Sequence, residues 1–238
     1  PTGTAGGTGA PDPGGSPGLA HPSLAPVAAD AKQLAGLVKK ARRQKGKRAL
    51  PAWQAVLNLD AWHDEALLGR AAAQLASGAA VDAVASLEQL AQSQRPGAIE
   101  ALVAARFDKR FAKLAADVRF RAAVGLDRGA TRAYEQVMGY GGKWEQAGVA
   151  CESPDVSVEF TRERKLDIRV KTVCEGQGFA MRFRGSWRLE DEALRLVLPN
   201  KGAADDIIPC AIAPAGDEHS ISCQIDQDLA FVVLPVRR

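Results

Sequence analysis

The first half of the chain carries apolar side chains at helical spacing. Residues 27–125 repeat apolar positions at intervals of three and four, which is typical of helices with one buried face. The first two stripes are Leu34, Leu37, Val38 and Ala41, and then Leu50, Trp53, Val56 and Leu57. Two more stripes flank Gly78, namely Leu67, Leu68, Ala71, Ala72 and Leu75, and then Val81, Val84, Leu87, Leu90 and Ala91. We expect these last two to form an antiparallel helical hairpin, with Asp60 as the N-cap of its first helix and Gly78 at the turn.

Beyond Gly142 the spacing of the apolar residues changes from helical to alternating. Segments such as Val156, Val158 and Phe160 recur about eight times, and short turn-like stretches separate them. The intervening positions are polar, as in half-buried strands. Short connections favour an antiparallel meander, closed as a barrel or folded as a sandwich. The predicted fold is α+β with two domains, a helical one over residues 27–138 and a β domain over 141–238, with a flexible glycine-rich joint between them.

Residues 1–26 differ from both predicted domains. They hold 7 of the 23 glycines and 6 of the 13 prolines, and have few side chains large enough to offset the entropy of ordering. We expect a disordered tether, of the kind that links a domain to a lipid anchor or a membrane helix. A plain interdomain linker is the alternative.

Part of the helical segment resembles the tetratricopeptide repeat. The matching positions are Leu67, Ala71, Gly78, Ala83, Leu87, Leu90 and Pro96. Gly46 lies 32 residues before Gly78, close to the family's period of about 34. The usual aromatic residues of the family are missing. Over residues 30–125 the resemblance implies stacked hairpins with a concave face for a peptide or protein. The alternative is a compact helical bundle that supports the β domain.

The β domain resembles the lipocalin-like barrels. Gly142-Lys143-Trp144 opens its first strand, and Gly185-Ser186-Trp187 opens a later one. In that family a tryptophan at this position closes the barrel floor, and the interior can hold a small apolar ligand. The inward positions here carry large side chains, which fill a small barrel. We therefore expect a packed interior, and carriage of a small apolar ligand is the alternative function.

A run of cations marks the end of the first predicted helix. Seven of the ten residues from Lys39 to Arg48 are Lys or Arg, and residues 27–140 carry 18 basic against 11 acidic residues. Lys39, Lys40, Arg43 and Lys47 form a possible patch for an anionic partner such as a membrane surface. A solvated helix face is the preferred reading. Nucleic acid is not expected, because the helical segment has few aromatic residues near the run for base stacking.

No motif for catalysis, a cofactor or a metal is present. The three histidines are scattered, the four cysteines contain no Cys-x-x-Cys pair, and the Gly-rich residues 139–142 do not follow a strand. No run of 18 apolar residues exists, which excludes a multispan membrane protein. We therefore expect no enzyme, but a scaffolding or protein-interaction component of a bacterial cell-envelope assembly. Its partner is unknown, and we expect it to be periplasmic or associated with the outer membrane.

All four cysteines lie in the β domain. Cys210 and Cys223 fall on consecutive predicted strands, and Cys151 and Cys174 bracket another hairpin. We predict disulfides between 151 and 174 and between 210 and 223, although four cysteines allow three pairings and four buried thiols are the alternative. Two disulfides would indicate an oxidising compartment.

If both disulfides form, the purified protein contains no free thiol. Thiol titration after denaturation without reductant should then find none, and a reduced sample provides the control. Four titratable thiols in the unreduced protein would contradict both pairings.

Overall fold

In the computed structural model a helical region precedes a β-barrel. The structure describes residues 21–24, 30–149, 152–174, 177–200, 202–227 and 229–236. The predicted α+β class and antiparallel meander are confirmed, and the sheet is a closed barrel rather than a sandwich. Most of the predicted tether, along with Cys151 of the first predicted disulfide, lies outside the described residues. Within the described part of the chain, no helix is long and apolar enough to cross a bilayer.

Seven α-helices are found in the described part of the first half. They are α1 (Ala31–Arg42), α2 (Leu50–Leu59), α3 (Asp64–Ala76), α4 (Ala80–Ala91), α5 (Pro96–Phe107), α6 (Val118–Ala123) and α7 (Ala133–Met138). Short 3₁₀ turns, Gly46–Ala49 and Lys109–Leu114, precede α2 and follow α5. As expected, α3 and α4 form a hairpin. Gly78 ends its first helix with a φ of 87°, a conformation that favours glycine.

Three expectations about this hairpin are wrong. The N-cap of α3 is His63, whose Nδ1 accepts from the backbone N–H of Ala66 at 3.3 Å. Asp60 is instead buried, and both of its carboxylate oxygens accept hydrogen bonds from the guanidinium of Arg95, at 2.6 and 2.8 Å. Val81, assigned to the buried stripe of α4, is 69% exposed because it lies on the side of the helix away from Ala83 and Leu87. Ala91, assigned to the same stripe, is exposed at the end of the helix.

The barrel consists of eight strands joined in chain order. They are β1 (Lys143–Gln146), β2 (Asp155–Phe160), β3 (Lys165–Cys174), β4 (Gln177–Glu190), β5 (Ala193–Leu198), β6 (Asp206–Ala215), β7 (Glu218–Gln224) and β8 (Ala230–Pro235). Each pairs antiparallel with the next, and β1 closes on β8 with Trp144 opposite Pro235. The predicted outward cations Arg169, Lys171, Arg182 and Arg184 are exposed.

Large side chains fill the barrel, as its alternating pattern predicts. Trp144, Ile168, Trp187, Leu194, Leu196 and Ile221 are each less than 2% exposed and belong to one apolar cluster. Cys210 lies opposite Cys223 in the register of β6 and β7, and the two form a disulfide. The predicted bond between these two residues is confirmed.

Helix α7 closes the end of the barrel where the two tryptophans lie. Its Tyr134, Val137 and Met138 belong to the apolar cluster of the barrel, and Trp144 donates its indole N–H to the carbonyl of Val137 at 3.0 Å. Glu192, in the turn between β4 and β5, accepts from the backbone N–H of Ala133 at 2.7 Å. The helix therefore belongs to the core of the β domain, although it precedes the first strand.

Arg164 joins the helical region to the barrel. Its guanidinium carbon lies 4.2 Å from the ring centroid of Trp187 and 5.0 Å from that of Tyr134. Nη2 donates to the carboxylate of Glu100 on α5, so one side chain contacts two helices and the barrel. Residues 139–142, expected to be a flexible joint, are also packed. A Cβ on Gly142 would lie 2.3 Å from the carbonyl oxygen of Phe160.

A buried carboxylate connects α7 to α5. Glu135 is fully buried, and its oxygens accept from Arg106 at 2.5 Å, from Arg128 at 2.9 Å and from the backbone of Thr131 at 3.3 Å. Burial by itself raises the pKa of Glu135, but the hydrogen bonds and the two guanidinium charges outweigh it and lower the pKa below its usual value. The ionised carboxylate therefore stabilises the fold.

Replacing this carboxylate should destabilise the protein. Glu135→Gln leaves the buried guanidinium of Arg106 without its counter-charge, and we expect a loss of about 3 kcal/mol in the free energy of unfolding at pH 7. Because the folded pKa is lowered, the stabilisation is present above the unfolded pKa of about 4.3 and disappears as the pH falls through the folded value. The difference between wild type and variant should therefore shrink in acid.

Urea unfolding at neutral and acidic pH measures this difference. Glu88→Gln is the control, because Glu88 pairs with Arg119 at the surface and should contribute less than about 1 kcal/mol. Equal losses for the two variants at neutral pH would contradict a special role for the buried carboxylate.

Candidate functional site: a basic cleft on the helical domain

The four residues of the predicted anionic-partner patch are exposed but do not converge. Lys39 and Lys40 lie in the last turn of α1, Arg43 is its C-cap, and Lys47 is in the following 3₁₀ turn. None of them forms an ion pair with a described residue. Lys40 lines a hollow of about 290 Å³ together with Leu37, Arg48 and Pro51. The patch by itself forms no enclosed site.

Other cations of the same run line a larger cleft. Arg42 and Lys45 border a cavity of about 690 Å³, which we call the basic cleft. Its remaining lining residues are Gln44, Gly46, Ala49, Trp53, Gly69, Ala72, Ala73, Leu75, Ala76, Arg110 and Lys113. It therefore combines the end of α1, the helices α2 and α3, and the 3₁₀ turn that follows α5.

The floor of the basic cleft depends on a glycine. Trp53 of α2 is 7% exposed and packs against Gly69 of α3, where a Cβ would lie 2.3 Å from Cε2 of the indole. Only glycine therefore lets α2 and α3 approach this closely here. Ala72, Ala73 and Ala76 continue the floor along α3. Their small side chains leave the space that forms the cleft.

The rim of the basic cleft is positively charged. Among the described residues, four cations and no carboxylate line it. Arg42 pairs with Glu65 at 2.5 Å and Arg110 with Asp108 at 2.6 Å, and both arginines remain more than half exposed. Lys45 and Lys113 form no ion pair with any described residue. At least two ammonium groups at the rim are thus available to a ligand.

The predicted patch contains none of the four rim cations, although Arg42 and Lys45 belong to the same basic run. Arg110 and Lys113 lie more than sixty residues beyond Lys45, and no local pattern relates them. The one available signal was the density of cations in residues 106–113, which includes Lys109 as well. The contacts of the two 3₁₀ turns with α3 bring these cations together.

A second cavity lies between the helical region and the barrel. It measures about 930 Å³, and acidic and basic side chains line it together. Several of these charges neutralise each other, as in the pairs of Arg42 with Glu65 and of Arg95 with Asp60. Asp64 is less satisfied, and its burial raises its pKa. The cavity therefore has less net charge to offer a ligand than the basic cleft.

Part of the N-terminal segment docks beside this second cavity. Ser23 is fully buried, its hydroxyl accepts from the backbone N–H of Gln94 at 2.9 Å, and its carbonyl accepts from Arg95 at 2.6 Å. His21 packs edge-on against Trp62, with 5.5 Å between the ring centroids. These contacts attach residues 21–24 to the helical domain, on a different surface from the basic cleft.

The histidines have local structural contacts. His21 lies 2.7 Å from the hydroxyl of Ser23, His63 is the cap of α3, and Nδ1 of His219 lies 3.4 Å from the hydroxyl of Tyr140. Within the described ranges, no three His, Cys, Asp or Glu side chains are arranged to hold a metal ion.

The open end of the barrel is less tightly packed than its floor. Phe179, Met181 and Phe183 continue the inward-facing series of Trp187 along β4, but Phe179 is 56% exposed and the other two are half-buried. The part of β4 that precedes Ser186 does not pair with β5, because the pairing of the two strands spans only the last five residues of β4. The apolar groups here are the part of the barrel that a small ligand could contact.

Comparison with known proteins provides no relative for either part. No protein-family model, no curated protein and no solved structure matches the chain. The closed eight-stranded barrel is compatible with the lipocalin-like resemblance. The resemblance of the helices to tetratricopeptide repeats is not confirmed.

The contact between Trp53 and Gly69 can be tested by adding one methyl group. Gly69→Ala forces the indole to move, and we expect a loss of about 1–3 kcal/mol in stability together with a change in tryptophan fluorescence. Thermal unfolding and emission spectra measure these two effects.

Gly36→Ala on α1 is the matched control. No atom lies within 4 Å of its added Cβ, so alanine should stabilise that helix by roughly 0.5–1 kcal/mol. A Gly69→Ala protein as stable as wild type, with unchanged emission, would contradict the role of this glycine.

Proposed function

We propose that the chain is a non-catalytic, protein-binding component of a bacterial cell-envelope assembly. The observation that carries the proposal is the basic cleft, an exposed concavity with an apolar floor and unpaired cations at its rim. Concave sites with these features are typical of recognition surfaces. We also propose that the helices are degenerate tetratricopeptide-like hairpins, because α3 and α4 pair around the glycine turn that this resemblance requires.

In this proposal the barrel is a rigid base for the helical domain. Tyr134 and Arg164 pack on Trp187, and Glu192 binds the start of α7, so the barrel and the adjoining helices contact each other through rings and charges. A fixed relation between the two parts suits a scaffold, because a partner bound to one part is held at a defined position relative to the other.

Localisation in the periplasm or at the outer membrane is part of the same proposal. The disulfide between Cys210 and Cys223 supports it, because such bonds persist in oxidising compartments. The proposal does not depend on the second predicted disulfide.

Carriage of a small apolar ligand by the barrel is the second candidate. The exposed Phe179 and its half-buried neighbours at the open end favour it. The packed floor around Trp144 and Trp187 favours the scaffold instead, because it leaves the apolar ligand only the upper part of the barrel. Native mass spectrometry of the purified protein separates the two, since a carrier would retain a bound small molecule.

Photo-crosslinking in cells that make the full chain tests the proposed function. A photoreactive phenylalanine derivative at Ala76, an exposed position lining the basic cleft, should give discrete adducts with a partner protein. The same derivative at Ala91, exposed at the end of α4 and outside the cleft, is the matched control. Identical adducts at both positions, or none at Ala76, would contradict the proposal.

A further inference from the structure

We propose that the basic cleft binds an acidic peptide segment of its partner, with carboxylates that flank aliphatic side chains. This inference rests on the proposed function and specifies the chemistry of the partner. Three properties of the cleft support it, namely its uncompensated charge, the composition of its floor and the way in which its tryptophan is covered.

The charge of the cleft selects an anion. Arg42, Lys45, Arg110 and Lys113 all line it, and no carboxylate does. The carboxylates paired with the two arginines, Glu65 and Asp108, lie outside the lining set. Because Glu65 and Asp108 already pair with the two arginines, a peptide carboxylate gains little there. It gains most at Lys45 and Lys113, which form no ion pair with a described residue.

The arrangement of the cations favours an extended segment over a single anion. Arg42 and Lys45 belong to the end of α1 and the residues after it, whereas Arg110 and Lys113 belong to the 3₁₀ turn after α5. Both regions contact α3, which contributes the alanine floor between them. Carboxylates spaced along a peptide can reach both groups of cations, while an intervening apolar side chain covers the alanines and the edge of Trp53.

The floor argues against a nucleotide or a nucleic acid. Binding of bases in such sites relies on stacking against an open aromatic face. Trp53 is 7% exposed, and the backbone of Gly69 packs against its rings, so only an edge of the indole remains for a ligand. An aliphatic side chain needs no aromatic face and fits the small floor residues.

A concave site also differs from a membrane-binding surface. Anionic headgroups are attracted to basic side chains that project from a surface. Lys39 and Lys47 are such side chains, because both are exposed and neither lines the cleft. Charge reversal at these two lysines therefore provides a control with the same change in charge, in the same segment as Lys45.

Trp53 provides the means of detecting an occupant. Its indole N–H has no acceptor among the described residues. Among the described residues, Nη1 of Arg164 is the one buried side-chain nitrogen that lacks a hydrogen-bond partner. The indole nitrogen of Trp53 also lacks a partner but is not fully buried, so solvent reaches it. A ligand on the floor should change the emission of Trp53, and Trp53→Phe should abolish that change.

The experiment titrates the full chain with a capped peptide of sequence Glu-Glu-Leu-Leu-Glu-Glu, followed by tryptophan emission and by calorimetry. We expect binding that weakens with salt, and no binding of the peptide in which Gln replaces Glu. Lys45→Glu with Lys113→Glu should weaken binding by about tenfold or more, and Lys39→Glu with Lys47→Glu by less than about threefold.

Several results would overturn the inference. These are no binding of the acidic peptide, equal binding of the Gln peptide, or equal weakening by the two pairs of substitutions, which would indicate only general surface charge. Vesicles of phosphatidylglycerol test the other source of anions. Vesicle binding lost through Lys39→Glu with Lys47→Glu, without peptide binding at the cleft, would assign the cations to a membrane instead.

The crosslinking experiment separates this inference from the proposed function. If Ala76 yields specific adducts but the acidic peptide does not bind, the cleft has a protein partner of other chemistry and only the inference fails. If neither is observed, both fail. Specific adducts together with cleft-dependent peptide binding support both.

Discussion

The packing of aromatic rings and charges around Trp187 is the contact on which the arrangement of the molecule depends. Tyr134 of α7 stacks on this tryptophan at 5.9 Å between centroids, and Phe160 meets it edge-on at 5.6 Å. Arg164 lies over two of these rings and reaches Glu100 of α5. Large aromatic contacts of this kind contribute both buried area and defined geometry. They close the barrel and attach the helices to it at the same place.

The position of α7 explains why the two parts are not separated by a hinge. Its apolar residues belong to the barrel core, while Glu135 on the same helix binds Arg106 of α5. The helix is only six residues long, so a residue buried in the barrel and a residue bound to the helical region are neighbours in sequence. A shift between the two parts would break either the apolar contact or the buried ion pair. Both changes are costly in an environment of low polarity.

The basic cleft follows from packing of a different kind. Gly69 lets α2 and α3 approach each other closely. The alanines of α3 have small side chains, so an open space remains above them, and longer side chains border it. Cations from two distant segments then border an apolar floor. The stability of the helical domain and the shape of the basic cleft thus depend on the same small residues.

Local patterns in the sequence determined the class and order of the elements. The change from helical spacing to alternation located the helical region and the strands, and the short turns indicated a meander. Cys210 and Cys223 fall on consecutive strands, which favoured a disulfide between them over the other pairings, and Gly78 marked the turn of the α3–α4 hairpin. These features depend on residues that are close together in the chain, and the spacing of apolar and turn residues is therefore sufficient to indicate them.

Only the tertiary structure decided which distant residues meet. Asp60 is of a residue type that often caps helices, but its carboxylate forms an ion pair with Arg95 instead. Glu135 is a charged residue on a short helix, and such residues are usually exposed. It is nevertheless fully buried and pairs with two arginines. Lys45 and Lys113 border one cleft although nothing in the sequence links them. Such contacts depend on how whole helices and strands are oriented, and the spacing of apolar residues within one element carries no information about the orientation of another.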